Sequence, residues 1–207
     1  MQLTLQVRGR FSRYPVSALF DNVTLESGDK TIHGQGREKM MARYSMGLDY
    51  GTNSCRSLVV NLETGEEISS HVYNYPSGQM GVIADPRDPD IARQNPADYR
   101  DGLETIIAQG LAKAKAADAA FSPGDVVGIG VDTTGSTPVP VNRAGVPLAL
   151  LPEFAGNPNA QAWLWKDHSS HAEAAAITAL AGKMRPGYLA KCGGTYSPEW
   201  FWAKVLH

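Results

Sequence analysis

The order of apolar runs and turn residues in this 207-residue chain predicts an α/β fold, neither a helical bundle nor a sandwich. Three observations carry the prediction. From Tyr44 onward, short apolar segments are separated by clusters of turn formers. A stripe of apolar residues at helical spacing follows. After it comes a continuous apolar run, Val126 to Val131, of the kind found in strands covered on both faces.

In chain order, Ser45–Asp49, Arg56–Leu62 and Glu67–Tyr75 are expected as strands. Gly51-Thr52-Asn53-Ser54 and Thr64-Gly65 turn the chain between them, making two hairpins. Asn95 is placed to cap a helix with Pro96 at its first position. Tyr99, Leu103, Ile106, Ile107, Leu111 and Ala114 then recur at helical spacing to about Asp118, a stripe suited to a core. Pro123-Gly124 introduces the buried strand Val126–Val131. Thr137–Leu148 resembles another hairpin, turning at Asn142–Gly145. A helix is expected from Ser169 or Ser170 to Leu180, ended by Gly182, and a last one opens with Ser197 as cap and Pro198 at its first position. The final residues, Trp202 to His207, carry no helix-stopping Gly or Pro, so the apolar face of that helix is expected to meet something further.

The first forty-odd residues differ. Arg8, Arg10, Arg13 and Arg37 are scattered among polar residues, and the alternation Leu3 to Val7 has no partner strand. Residues 1–43 are therefore expected to be a disordered extension. A basic targeting arm is the competing reading, although Asp21, Glu26 and Asp29 interrupt it. Arg37-Glu38-Lys39 precedes Met40-Met41 and can be encoded by a purine-rich, ribosome-binding-like stretch. Translation is accordingly expected to start at Met40 or Met41, which peptides from Ser17 to His33 in the native protein would disprove.

A hydrophobic content of 43% is sufficient for a real core, and a net charge of -2 with a pI near 6.2 offers no broad basic field for nucleic acid or an anionic membrane. A small-molecule partner is expected. No apolar run approaches the roughly 20 residues that span a bilayer, and no secretory leader is visible, so the expected location is the cytoplasm. Cys55 and Cys192 lack metal-ligand spacing and are expected to be free thiols.

Three motifs carry chemistry. Gly47-Leu48-Asp49-Tyr50-Gly51-Thr52-Asn53-Ser54-Cys55-Arg56 places a small Gly-Thr turn after a strand. Its N–H groups and hydroxyls can approach phosphate oxygens, and a strand-end carboxylate can hold hydrated Mg²⁺; taken alone, the motif is equally a hairpin turn. Gly128-Ile129-Gly130-Val131-Asp132-Thr133-Thr134-Gly135-Ser136-Thr137-Pro138 delivers a carboxylate, hydroxyls and a glycine to a strand end, where open α/β sheets bind ligands; a capped turn is the alternative. Trp163-Leu164-Trp165-Lys166-Asp167-His168 pairs an aromatic wall with donors and acceptors suited to a polyol, although two tryptophans also suit a core. His168 and His171 have no cysteine beside them, and their neighbouring carboxylates are explained by solvation, which argues against a metal site.

These segments, followed by Pro152-Glu153-Phe154, Asn157-Pro158-Asn159 and Glu199-Trp200-Phe201-Trp202-Ala203-Lys204, resemble the ribulokinase branch of the FGGY carbohydrate kinases. The resemblance runs from Ser45 to His207. It implies a ribonuclease H-like domain of the actin and hexokinase type, with a mixed sheet and flanking helices, over residues 44–207 and truncated at its C-terminal end. It implies transfer of the γ-phosphoryl of ATP, with Mg²⁺, to L-ribulose or a related pentulose in L-arabinose catabolism. On the phosphate side it places Asp49 near Mg²⁺ through water, Gly51, Thr52 and Asn53 at the terminal phosphates, and Arg56 beside them. On the sugar side it places Gly135, Ser136 and Trp165, with Asp167 and Glu199 as further hydroxyl contacts. The family's catalytic aspartate belongs to the second lobe, and no aspartate here matches its motif; Asp132 sits in a strand-end motif that the family uses otherwise. The chain alone is thus expected to be inactive, needing the C-terminal kinase lobe. A non-catalytic sugar-binding module, or a partner of a separately encoded lobe, is the alternative.

Overall fold

The computed structural model describes residues 43–207. The expected extension and the proposed start at Met40 or Met41 lie outside them, except for Arg43, whose carbonyl accepts from Leu62 N. Alternating patterning produces strands β1 (Tyr44–Tyr50), β2 (Ser54–Asn61) and β3 (Glu67–Asn74), close to their expected limits. A strand pair that the sequence did not announce follows, β4 (Ile83–Asp85) and β5 (Asp88–Gln94), before helix α1 (Pro96–Ala117). Asn95 does cap that helix, its Oδ1 accepting from Ala97 N at 3.0 Å. A 3₁₀ turn at Pro123–Asp125 leads into β6 (Val126–Thr133), and β7 (Ala162–Trp163) precedes α2 (His171–Met184), α3 (Pro186–Lys191) and α4 (Phe201–Leu206).

One sheet has the order β3-β2-β1-β6; the other has the order β4-β5-β7, with antiparallel pairs that set Ile83 opposite Arg93 and Arg93 opposite Trp163. The described residues form two compact units. The first holds 43–48, Ser57–His71 and Ile107–Val131. Its core contains Tyr44, Met46, Leu48, Val59, Ala114 and Phe121, and the Tyr44 and Phe121 rings meet edge to face at 4.9 Å. The second holds Asp49–Arg56, Val72–Ile106 and Asp132–His207, and every residue of the candidate site lies in it. Its buried side chains include Cys55, Tyr75, Trp163, Leu164, Ala174, Tyr196 and Ala203. Both cysteines are free thiols, and burial pushes the Cys55 thiol up to about 11.

Four expectations need correction. The run Val126–Val131 is not a strand covered on both faces: β6 stands at the edge of its sheet, with Val127 52% and Val131 61% exposed. Thr137–Leu148 turns where expected, Gly145 N donating to Asn142 O, but makes a single bridge, Val141 to Pro147. Pro138, Pro140 and Pro147 remove the N–H groups that a ladder needs. Helix α2 runs past Gly182 to Met184 and ends at Arg185, which leaves the helical region (φ -144°, ψ 59°) just before Pro186, where a helical conformation is disfavoured. Ser197 caps only a turn, Oγ accepting from Glu199 N; Trp200 is extended, and α4 begins at Phe201.

Candidate functional site

The second unit brings the ends of β1 and β2, the loop after β6 and the segment after β7 to one place. Thr134 N donates to Tyr50 O at 3.1 Å, tying the loop after β6 to the end of β1. At the turn between β1 and β2, Gly51 N donates to Ser54 O at 2.9 Å. A Cβ at Gly51 would stand 3.2 Å from that carbonyl and 3.6 Å from the Arg56 guanidinium, so a glycine keeps the turn tight beneath the arginine. Arg56 Nε meets Asp49 Oδ2 at 3.0 Å, with both side chains about half exposed. The Thr52 carbonyl accepts from Gln94 Nε2 at 2.7 Å, and Asn53 Nδ2 donates to Met80 O at 2.7 Å.

These bonds sort the expected phosphate residues. The single N–H of Gly51 and one amide proton of Asn53 are engaged within the protein. The Thr52 hydroxyl accepts from Trp165 Nε1 at 3.0 Å, which leaves its own proton to donate. Arg56 offers positive charge, and Asp49 offers a solvent-reached carboxylate beside it. An anionic phosphate chain carrying a hydrated divalent cation fits this set: the arginine and hydroxyl suit phosphate oxygens, and the carboxylate suits a metal's water shell.

Next to this turn lies an open cavity of about 430 Å³, lined by Thr134, Gly135, Ser136, Trp165, Glu199 and Trp200. Four of the five expected sugar-side residues therefore share one cavity. Ser136 has a φ of 53°, a left-handed conformation uncommon for any residue but glycine, and a Cβ at Gly135 would meet nothing within 4 Å. Trp165 is 41% exposed and presents its ring to the cavity while its indole N–H reaches Thr52. One aromatic side chain thus belongs to both the phosphate turn and the cavity wall. Glu199 is held by His168, Nε2 to Oε1 at 2.7 Å. His171 meets Asp90 at 3.3 Å, and among the described residues no group of three or more His, Cys, Asp or Glu side chains is placed to hold a metal ion.

Asp167 does not line the cavity. It is fully buried, and its oxygens accept from Ala92 N at 2.7 Å, Ser169 N at 3.1 Å and Ser169 Oγ at 2.7 Å while pairing with Arg93. Arg93, 1% exposed, lies over the Trp163 ring at 3.4 Å and donates to Pro158 O. Burial pushes its pKa down to about 10, far enough above neutrality for it to stay charged. Strand alternation from Trp163 through Trp165 would have sent Asp167 to the same side as Trp165. The strand ends at Trp163, however, and Asp167 N donates to Leu164 O in a turn that redirects the carboxylate inward.

Lys204 was overlooked as a site residue. It is buried and donates to three carbonyls, two of them in the cavity-lining residues Ser136 and Trp165. Nothing in an amphipathic helix sequence separates such a lysine from a solvated one.

No protein-family model matches the chain. It is 48% identical over 165 residues to "Ribulokinase" of Vibrio parahaemolyticus, covering 79% of this chain and 28% of that protein. It is 38% identical over 170 residues to "Ribulokinase" of Geobacillus thermodenitrificans, covering 80% and 29%. The chain therefore spans less than a third of the length of these relatives. Among solved structures it is similar in fold to the "xyloylose kinase" of Brucella ovis, with a TM-score of 0.56 at 21% identity over 76% of this chain and 27% of that one. A xylulose kinase of Bifidobacterium adolescentis gives a TM-score of 0.53 at 18% identity over 79% and 28%.

Proposed function

We propose that this chain is the N-terminal lobe of an ATP-dependent sugar kinase of the ribulokinase kind, a reading supported by its 48% and 38% identity to two ribulokinases over the residues it shares with them and by its likeness in fold to a solved sugar kinase. The observation that carries the reading is the Trp165 indole bonded to Thr52, which makes the polyol cavity contiguous with the anion-suited turn. An acceptor hydroxyl in the cavity would lie beside the phosphate chain to be cleaved.

ATP with Mg²⁺, when bound, supplies the transferable phosphoryl group and neutralises its charge. The chain's own residues do the holding. Arg56 and the Thr52 hydroxyl would face phosphate oxygens and Asp49 would take the metal's water shell, while Gly51 and Asn53 fix the turn. Trp165 covers the C–H face of the sugar, while Ser136, the Gly135 backbone and Glu199 take its hydroxyls. Asp167 acts behind Trp165, fixing its turn. The acceptor is L-ribulose or a related pentulose, and a kinase consuming ATP would work in the cytoplasm. None of these residues supplies the aspartate that would take the acceptor's proton, so transfer requires a second lobe.

Titration calorimetry of the purified 207-residue chain with L-ribulose, alongside a phosphate-transfer assay, tests the proposal. Transfer above buffer, lost in Asp49→Ala, would overturn the need for a second lobe. No sugar binding, even after the C-terminal two-thirds of a ribulokinase is added, would overturn the sugar-kinase reading itself. A second reading, a sugar-binding module without catalysis, rests on the lining itself: Trp165 beside Ser136 and Glu199 suits a polyol with no reference to ATP. Micromolar binding of L-ribulose to the chain, unchanged by the added lobe, would support it.

A further inference from the structure

Lys204 stands on α4 at 3% exposure, and its Nζ reaches Ser136 O at 2.7 Å, Leu164 O at 2.7 Å and Trp165 O at 3.0 Å. A lysine ammonium has three donors and no acceptor, and here three carbonyls meet it. A buried charge is costly unless hydrogen bonds replace its water, so the head group is fixed only where all three oxygens converge. Those oxygens come from segments 68, 40 and 39 residues away in sequence. Two of the three residues flank the cavity, yet Lys204 does not line it.

We propose that Lys204 is the positioning residue of the acceptor cavity: its ammonium clamps the Ser136 loop to the Leu164–Trp165 backbone and so fixes the distance between the two walls that hold the sugar. The inference rests on the sugar-kinase reading for what fills the cavity, but not for the clamp itself. Ser136 is the residue with φ of 53°, and a charge-assisted bond to its own carbonyl is a direct means of holding that conformation. The same lysine holds the backbone of Trp165, whose indole N–H is bonded to Thr52, so the clamp also sets where the phosphate turn meets the cavity.

The test has one arm without sugar and one with it, both on the full 207-residue chain. In the first, the Trp165 indole N–H resonance is assigned with Trp165→Phe and compared in wild type, Lys204→Met and Ala203→Gly. Ala203 is buried on the same helix but has no part in the clamp. The indole resonance is expected to move in Lys204→Met and to stay in place in Ala203→Gly, whatever each variant does to thermal stability. In the second arm, Kd for L-ribulose is expected to rise about tenfold to a hundredfold in Lys204→Met, the loss of hydrogen bonds to a charged group, and to change less than twofold in Ala203→Gly. If Lys204→Met does not fold, Lys204→Gln, which keeps two neutral donors on a shorter stem but no charge, replaces it with the same expected direction.

An unmoved Trp165 resonance overturns the proposal, as does an equal shift in Ala203→Gly. Unchanged L-ribulose affinity beside a moved resonance overturns it too. If wild type binds no L-ribulose either alone or with the C-terminal two-thirds of a ribulokinase added, the sugar-kinase reading fails and the indole arm still decides the clamp; if it binds only with that lobe added, the second arm is read in its presence.

Discussion

Asp167→Ala is expected to be the most damaging single change in the candidate site region, although Asp167 touches no ligand. Its carboxylate is fully buried, accepts three hydrogen bonds of 2.7, 3.1 and 2.7 Å, and faces Arg93, itself 1% exposed. Alanine would leave the Ala92 N–H and the Ser169 groups without their acceptor and the guanidinium without its counter-charge. Arg93 would keep Pro158 O at 3.2 Å, a long contact to Ser169 Oγ, the face of Trp163 and the charge of Asp88, with no carboxylate paired directly to it. Removing one partner of such a buried pair costs about 3–5 kcal/mol, because the remaining charge is uncompensated. That is a large part of the roughly 5–15 kcal/mol by which a domain is stable. With a urea slope of about 2 kcal/mol/M, the unfolding midpoint should fall by roughly 1.5–2.5 M. The partner test is Arg93→Met combined with Asp167→Leu, which replaces both charges by apolar groups and should recover more than half of the loss. Urea unfolding followed by circular dichroism measures both. A loss below about 1 kcal/mol in Asp167→Ala, or a double variant no better than the single, would refute the reasoning.

Three further outcomes follow from the coordinates. Gly102→Ala on α1 would place a Cβ 2.5 Å from Cys55 Sγ and 2.9 Å from Tyr73 Cδ1; overpacking of about 1–3 kcal/mol should outweigh the ~1 kcal/mol gain in helix propensity, so the melting temperature should drop. The Tyr44 hydroxyl donates to Asp118 at 2.7 Å and holds its carboxyl below the ordinary 3.8. A depressed folded value gives stability that is present above pH 3.8 and lost as pH falls below it, and Tyr44→Phe should flatten that acid limb in pH-dependent melting. Burial pushes Lys204 down to about 8 from 10.5, with Glu199 opposing and Arg93 assisting. The unfolded chain then holds more protons between those values, so wild type should gain stability relative to Lys204→Met as pH rises from 8 to 10.5, and a constant difference in denaturant midpoints would contradict it.

Local signals made the first half of the fold legible. Alternation and turn residues mark β1 to β3, and Asn95-Pro96 with a helical stripe marks α1, because each depends on neighbours a few residues apart. The β6 run misled because an apolar strand reads alike in the middle of a sheet and at its edge; position is decided by pairing, which the run does not encode. The candidate site divides in the same way. Gly135, Ser136, Trp165 and Glu199, which the resemblance groups together, line one cavity. Asp167, which the resemblance places on the sugar side, is turned inward by the bend at Leu164, and its pairing with Arg93 from a distant strand is not legible in the motif. Lys204 and Arg93 owe their roles to carbonyls and a carboxylate from distant segments, and no local pattern announces such partners.

Ser136 sets a thermodynamic tension within the chain. A serine held at φ 53° gives up of order 1 kcal/mol of folding free energy that glycine would recover. Ser136→Gly should therefore melt at a higher temperature than wild type while binding L-ribulose more weakly, since the recovered freedom is freedom for the sugar loop to leave its place. Selection for heat resistance alone would tend to remove this serine, whereas selection for acceptor discrimination would keep it.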